Sequence, residues 1–475
     1  MREPTRDPLG LRAEAPLFDA FLRFAAATLH PFTIPGHKHR RDLLGPLVDG
    51  DIPLYAGLDT MKLSSGVLDQ AEELAARAWG ADVARFSVGG STHGNQALAL
   101  TVGRPGDRVV VGRTLHRSML LGLVLADLVP TWVTPSVDPR TGLPLAVSAD
   151  VVAGALADAP SAVAVLVTDP QYVGTYGDTG ALAATAHRHG VPLVVDAAWA
   201  GHFGFHPDLP PHALAAGADA LVISAHKALT ALNQGAIVLA RTERIDPARF
   251  AASVEATATT SPSGAVLASI DLARALLQTQ GAELVGATLD AVVAARARLE
   301  QVEGLTVLQG PGVDPLKLVV GLSGAGADGV VVERDLVAAG HPVELADRDI
   351  VVAMVTLADR AQDVLGFADL LARTVERHRG AARPVTPQLV WTRQPEQVLT
   401  PREAFFARHA VVPAAQAVGR VCAELVAPYP PGIPVLAPGE RVDEEVVAAL
   451  RAARAAGTRI AYAADPTLAT LRVVG

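Results

Sequence analysis

The chain has 475 residues, 50% of them apolar and 19% charged, a composition that buries a sizeable core and excludes intrinsic disorder. Its 40 Lys and Arg against 49 Asp and Glu leave a net charge of −9, so no global positive field exists to hold nucleic acid or an anionic membrane, and a small molecule, best a cationic one, is the expected partner. The single cysteine, Cys422, has no intramolecular disulfide partner, and no Cys/His cluster has zinc spacing; no metal is expected, and the expected compartment is the cytoplasm. Apolar runs such as residues 119–126 fall far short of the ~18 residues a membrane span requires. The start, with Arg2, Glu3, Arg6 and Asp7, lacks a signal-peptide core.

Residues 16–29 carry helix-like apolar spacing in Leu17, Phe18, Phe21, Leu22, Phe24 and Ala25, an arm that packs either on a partner subunit or on its own domain. From about residue 81 to 240, β-rich runs recur at 108–112, 131–133, 163–168, 193–196, 220–224 and 236–240. Stretches of helical length lie between several of them, for example 180–189. This alternation predicts a mostly parallel sheet covered by helices, with ligands beyond the strands' C-terminal ends. A long helical stretch at 264–301 leads to strand-like 316–322 and 350–356 flanking helix-like 329–339, the pattern of a small α+β domain. The Pro-bearing residues 383–387 mark a further break, and Tyr429-Pro430-Pro431-Gly432-Ile433-Pro434 predicts a rigid non-helical turn.

Four strips concentrate polar groups where the sheet's ligand edge is expected. Ser224-Ala225-His226-Lys227 follows a buried strand directly and puts a lysine at that edge. Asp196 ends the apolar run Leu193-Val194-Val195 and is followed by Ala197-Ala198-Trp199; by itself it reads equally well as a helix cap. With Lys227 it makes the two anchors of a pyridoxal phosphate site: an acid for the pyridine nitrogen and an amine for the aldehyde. Gly89-Gly90-Ser91-Thr92-His93-Gly94-Asn95, ahead of helical 96–102, offers small residues, free N–H groups and hydroxyls to a phosphate, and Ser224 adds a hydroxyl. His116, in Leu115-His116-Arg117-Ser118, follows the strand at 108–112 and is placed to stack on a ring.

Together these strips resemble the Orn/Lys/Arg decarboxylase family of fold type I pyridoxal-phosphate enzymes, in its short form without a receiver-like N-terminal domain. The resemblance runs from Pro35-Gly36-His37-Lys38 through Gly90-Ser91-Thr92, His116-Arg117-Ser118, Pro170-Gln171-Tyr172-Val173-Gly174, Asp196-Ala197-Ala198-Trp199 and Ser224-Ala225-His226-Lys227 to Thr260-Ser261-Pro262-Ser263. It closes with the C-terminal run at 421–440, its most specific string. The sequence departs from the pattern at Gln171, Ala197, Ile223 and Gly264, and residues 52–57 lack an expected acidic pair.

The resemblance implies an aspartate aminotransferase-like α/β fold divided into an N-terminal arm (1–50), a cofactor-binding major domain (51–285), a small α+β domain (286–385) and a C-terminal decarboxylase-type domain (386–475). It implies Lys227 as the cofactor-linked lysine, Asp196 as the pyridine partner and His116 as the stacking group. Ser91, Thr92, Ser224 and His226 would surround the phosphate, with Trp199 and Tyr172 in the cleft and Lys227 or His226 returning a proton to Cα. Glu344 and Asp347 are candidates for the substrate's distal cation. The implied activity is decarboxylation of lysine, arginine or ornithine by a homodimer or larger assembly. Another fold type I reaction, such as transamination or oxidative decarboxylation, and a non-catalytic cofactor- or polyamine-binding protein remain as alternatives.

Overall fold

The computed structural model describes residues 7–27, 32–48, 50–52, 66–385, 394–429, 433–455 and 457–475. Outside them lie residues 1–6, the segment 53–57, the break at 386–387 and the turn residues Pro430, Pro431 and Gly432. Seven strands form the central sheet: β1 (Val83–Ser87), β2 (Arg108–Gly112), β3 (Val129–Val133), β4 (Ala162–Thr168), β5 (Leu193–Asp196), β6 (Ala220–Ser224) and β7 (Ala236–Ala240), in the order β1-β7-β6-β5-β4-β2-β3. β3, β2, β4, β5 and β6 pair in parallel, and β7 alone runs against both its neighbours, β6 and β1. The sheet is therefore mostly parallel, as expected. Every residue of β5, β6 and β7 is buried, which is why these strands read as continuous Val/Leu/Ile/Ala runs rather than as alternating ones: helices cover both faces.

The glycine-rich strip is part of a helix rather than a prelude to one. That helix spans Gly90–Val102, and Gly94 lies where a Cβ would come within 2.5 Å of Val222 Cγ2, so the missing side chain is what lets the helix settle on β6. The helix Pro16–Ala27 packs on its own chain: Leu17, Phe18, Phe21 and Leu22 join the core, and the Leu17 and Phe18 amides donate to Asp271 Oδ2 at 2.9 and 3.4 Å.

Asp271 belongs to the 36-residue helix Gly264–Leu299, about 54 Å long at 1.5 Å per residue. The position 285/286 falls within it. It leads to a four-stranded antiparallel sheet of order β10-β11-β9-β8, built from β8 (Thr306–Val307), β9 (Lys317–Gly321), β10 (Leu345–Ala346) and β11 (Ile350–Met354). The helices Gly329–Ala338 and Ala361–Arg377 complete this unit. In the C-terminal segment β12 (His409–Pro413) pairs with β15 (Thr470–Val474), and β13 (Ala427–Tyr429) with β14 (Arg459–Ala461). No described helix is long and apolar enough to cross a membrane.

Candidate active site

The parallel strands β4, β5 and β6 end side by side at Thr168, Asp196 and Ser224. Asp196 is 2% exposed, and its oxygens accept from Asn95 Nδ2 at 2.7 Å and the Ala198 amide at 3.2 Å. Both donors are neutral, and the carboxylate makes no ion pair among the described residues. Asn95, to which the sequence reading assigns no role, starts a chain of contacts across the cleft. Its Nδ2 also donates to Ser118 Oγ at 2.8 Å, and Ser118 Oγ in turn donates to His116 Nδ1 at 2.7 Å. His116 caps the helix Arg117–Ala126, its Nδ1 accepting the Ser118 amide at 3.2 Å. With Nδ1 an acceptor twice over, the ring is neutral and carries its proton on Nε2. Desolvation by the surrounding protein holds its pKa below the usual histidine range; Lys227 and Arg117 push the same way and Asp196 opposes. His116 nonetheless keeps accessible surface.

Lys227 sits in the single turn Ala225–Ala228 directly after β6. Its Nζ lies 3.9 Å from the centroid of the Trp199 indole and has no hydrogen bond or ion pair among the described residues. Burial lowers the amine's pKa, while Asp196 and Glu344 pull it back up. Ser224 Oγ donates to Ser91 Oγ at 2.9 Å, joining the end of β6 to the first turn of the helix Gly90–Val102, where Thr92 is exposed. His226 Nδ1 donates to Gly235 O at 2.9 Å, leaving Nε2 free to face a ligand.

These residues fit pyridoxal phosphate. An unpaired amine of lowered pKa, a buried acid with only neutral donors, and two hydroxyls at a helix N-terminus are the donor set its aldehyde, pyridine nitrogen and phosphate require. The buried Asn95 Oδ1 and Thr168 Oγ1, beside the acid, have no hydrogen-bond partner among the described residues.

On the other wall, Tyr172 stands edge-on to Trp199, with ring centroids 5.0 Å apart, and its hydroxyl donates to Glu344 Oε1 at 2.7 Å. Burial and the neighbouring Glu344 raise the phenol's pKa, so Tyr172 stays a donor. Glu344 opens onto a groove it shares with Glu333, Asp347, Tyr429 and Arg459. Asp347 has a different occupation: its Oδ1 accepts the Asp349 and Ile350 amides at 2.7 and 2.9 Å, closing the turn into β11. Its carboxylate holds the backbone, and it does not join the cluster of Tyr172, Trp199 and the lysines. Ala197 and Ile223, two of the departures from the family pattern, are each 1% exposed and belong to the core. Gln171 folds back on its own strand end, Nε2 donating to Thr168 O at 2.6 Å.

A second lysine, absent from the sequence reading, shares this wall. Lys317, the first residue of β9, is 3% exposed and places Nζ 3.7 Å from the Trp199 ring centroid. Burial lowers its pKa to about 8.

A sheet of this order with an acid and a lysine at adjacent strand ends defines an α/β enzyme of the fold seen in lysine decarboxylase A from Pseudomonas aeruginosa. The two structures superpose with a TM-score of 0.83 at 20% identity, covering 97% of this chain and 80% of that one. The model of the Orn/Lys/Arg decarboxylase major domain matches residues 15–324 and that of the family's C-terminal domain matches residues 386–460, so the chain belongs to the Orn/Lys/Arg decarboxylase family. Among its relatives, the arginine decarboxylase of Bacillus subtilis (strain 168) is 32% identical over 97% of this chain and 98% of its own length. That of Halalkalibacterium halodurans is 31% identical, again over 97% and 98%.

Proposed function

We propose that the chain removes the α-carboxylate of a basic amino acid as CO2, using pyridoxal phosphate, and that arginine is the first substrate to try. The observation that carries this reading is the placement of Asp196 and Lys227 at neighbouring strand ends, opening onto a wall that ends in Tyr172 and Glu344. The relatives named arginine decarboxylase add the choice of arginine.

Bound in this cleft, pyridoxal phosphate supplies an electron sink for the bond that breaks at Cα. Lys227 would hold the cofactor's aldehyde through its desolvated amine. Asp196, fixed from two sides by Asn95 and Ala198, would pair with the ring nitrogen. Ser91, Thr92, Ser224 and His226 would hold the phosphate, and His116, locked as a neutral ring by Ser118, would lie against the cofactor. Glu344, oriented by the Tyr172 hydroxyl, receives the distal cation of the substrate. After CO2 leaves, Lys227 or His226 returns one proton to Cα, which completes the amine. We also infer a homodimer or larger assembly: Phe406 and Val411 of the C-terminal segment are 65% and 64% exposed, apolar area that a second copy would cover.

The test is CO2 release from arginine, lysine and ornithine by protein purified with pyridoxal phosphate, alongside its visible absorbance. Release from one of the three with a visible band, both lost in Lys227→Ala, is the expected result. A loss of at least about 10³-fold is the scale for removing a covalent anchor. A visible band without release from any of the three would sink the decarboxylase reading and keep the cofactor.

A further inference from the structure

Lys317 is a buried cation whose head rests on the Trp199 indole, with Nζ 3.7 Å from the ring centroid, and meets no anion at bonding distance among the described residues. Its Nζ has no hydrogen bond and no ion pair among the described residues. Asp314, Glu344 and Lys227 act on it only through space. Asp314 is taken up by His202 Nε2 at 3.2 Å and by the Leu316 amide at 3.0 Å.

The site around it is nevertheless built with care for the lysine's stem. Arg296 donates to the carbonyls of Lys317 and Asp314 at 2.7 and 3.2 Å, fixing the start of β9 from the long helix. Gly174 lies against the side chain at φ +88, where a Cβ would stand 2.7 Å from Lys317 Cγ. Only glycine fits both the left-handed backbone and the passing stem. The Pro170-Gln171-Tyr172-Val173-Gly174 motif thus places Tyr172 on one side of the lysine and clears the way for it on the other.

A desolvated ammonium left unpaired is costly, so the arrangement calls for an anion. The phosphate has its own donors in Ser91, Ser224 and the helix N-terminus. The anion without a counterpart is the substrate's α-carboxylate. We infer that Lys317 is the residue that holds this carboxylate, turning about its terminal bonds from the face of Trp199 to meet it. The assignment takes the identity of the ligand from the decarboxylase reading. Held by one ammonium against an indole face, the carboxylate is oriented without being surrounded by water, and orientation is what selects the bond broken at Cα. The grip also ends with the reaction, since neither CO2 nor the product amine carries the charge that Lys317 recognises.

The experiment compares wild-type holoenzyme with Lys317→Met and Lys317→Arg. It reads KM for the amino acid turned over, the inhibition constant of the matching amine, and the melting shift each ligand produces. In Lys317→Met, KM should rise roughly 10- to 100-fold, the scale of one lost charge-assisted hydrogen bond, while the amine's inhibition constant stays within about twofold. Lys317→Arg should recover part of the loss. Equal weakening of amino acid and amine, or no change in either, overturns the assignment. If wild type releases no CO2, the decarboxylase reading fails by itself and the melting shifts still decide. An amino-acid shift lost in Lys317→Met with the amine shift kept supports Lys317, and the absence of any carboxylate-dependent shift overturns it.

Discussion

Two buried cations of this molecule, Arg113 and Lys317, are 1% and 3% exposed and are treated in opposite ways. Arg113 follows β2 and meets the C-terminal segment. Its guanidinium makes a two-pronged pair with Glu440, Nη2 to Oε2 at 2.9 Å, and Nη2 also reaches Val435 O at 2.7 Å. Glu440, itself 0% exposed, further accepts the Ala437 amide at 2.7 Å, and the guanidinium lies 4.9 Å from the Trp132 centroid. Both terminal nitrogens of the guanidinium and both oxygens of the carboxylate are engaged, and only Arg113 Nε lacks a hydrogen bond among the described residues. Lys317 has a fixed stem and a head that touches only aromatic faces, Trp199 at 3.7 Å and Tyr172 at 5.9 Å. A buried pair saturated in charge specifies how two parts of the chain dock, whereas a buried cation with no charge bonded to it leaves its interaction energy for something that arrives later.

The largest effect separating the two falls on stability at Arg113. Arg113→Met leaves Glu440 buried without its cation and should cost about 3–5 kcal/mol, read by denaturant or thermal unfolding. Adding Glu440→Leu should recover much of that loss, because replacing a whole buried pair by apolar groups is far cheaper than halving it. A single variant as stable as the parent would break the claim that this pair is saturated and structural.

At Lys317 the sign reverses. Lys317→Met removes an ammonium with no hydrogen bond or ion pair among the described residues and keeps a stem of similar length that still packs on Trp199, so the unliganded protein should gain about 1–3 kcal/mol at neutral pH and melt higher. Stability gained together with substrate grip lost is the signature of a group kept for a ligand. If the variant were destabilised instead, the indole contact of Lys317 would outweigh the cost of burying its charge, and the contrast with Arg113 would collapse.

The same contrast explains what was legible in the sequence. β2, β5, β6 and β7 coincide with the expected runs because strands buried on both faces are nearly pure aliphatic. β1 was not singled out: its burial alternates, and its pairing with the antiparallel β7 is long-range. The expected helix at 96–102 starts at Gly90 instead, since two glycines near a helix start read as a turn until the sheet beneath Gly94 is seen. Asp196, Lys227, Ser91 and Ser224 stand out because they sit at punctuated strand and helix ends. Asn95 does not, as it acts from within a helix, and neither does Lys317, which opens a strand of the small sheet, away from the ligand edge expected of the large one. A lysine opening the apolar run Leu318-Val319-Val320 was the one available signal for Lys317, and its meaning depended on Trp199, more than a hundred residues earlier.

Glu72 tests the middle of the range with the smallest expected effect. It lies on the helix Val67–Trp79; one oxygen accepts the Phe86 amide at 2.8 Å and the other accepts from Arg85 Nη1 at 3.2 Å. Its side chain is 6% exposed but that of Arg85 is 39% exposed, so the ion pair is only half withdrawn from water. Burial outweighs Arg85 and raises the carboxyl from 4.5 to about 7. The folded state therefore holds a proton that the unfolded chain has released. This contribution to stability is fully present below about pH 4.5, declines as the pH rises, and is lost above about pH 7. Glu72→Gln keeps the acceptor for Phe86 and carries no charge at any pH. Its melting temperature should fall less than that of the parent between pH 5 and pH 8, with the difference growing toward pH 8. Parallel curves for the two proteins would mean that Arg85 compensates the buried carboxylate fully, which would put Glu72 beside Glu440 among the saturated pairs.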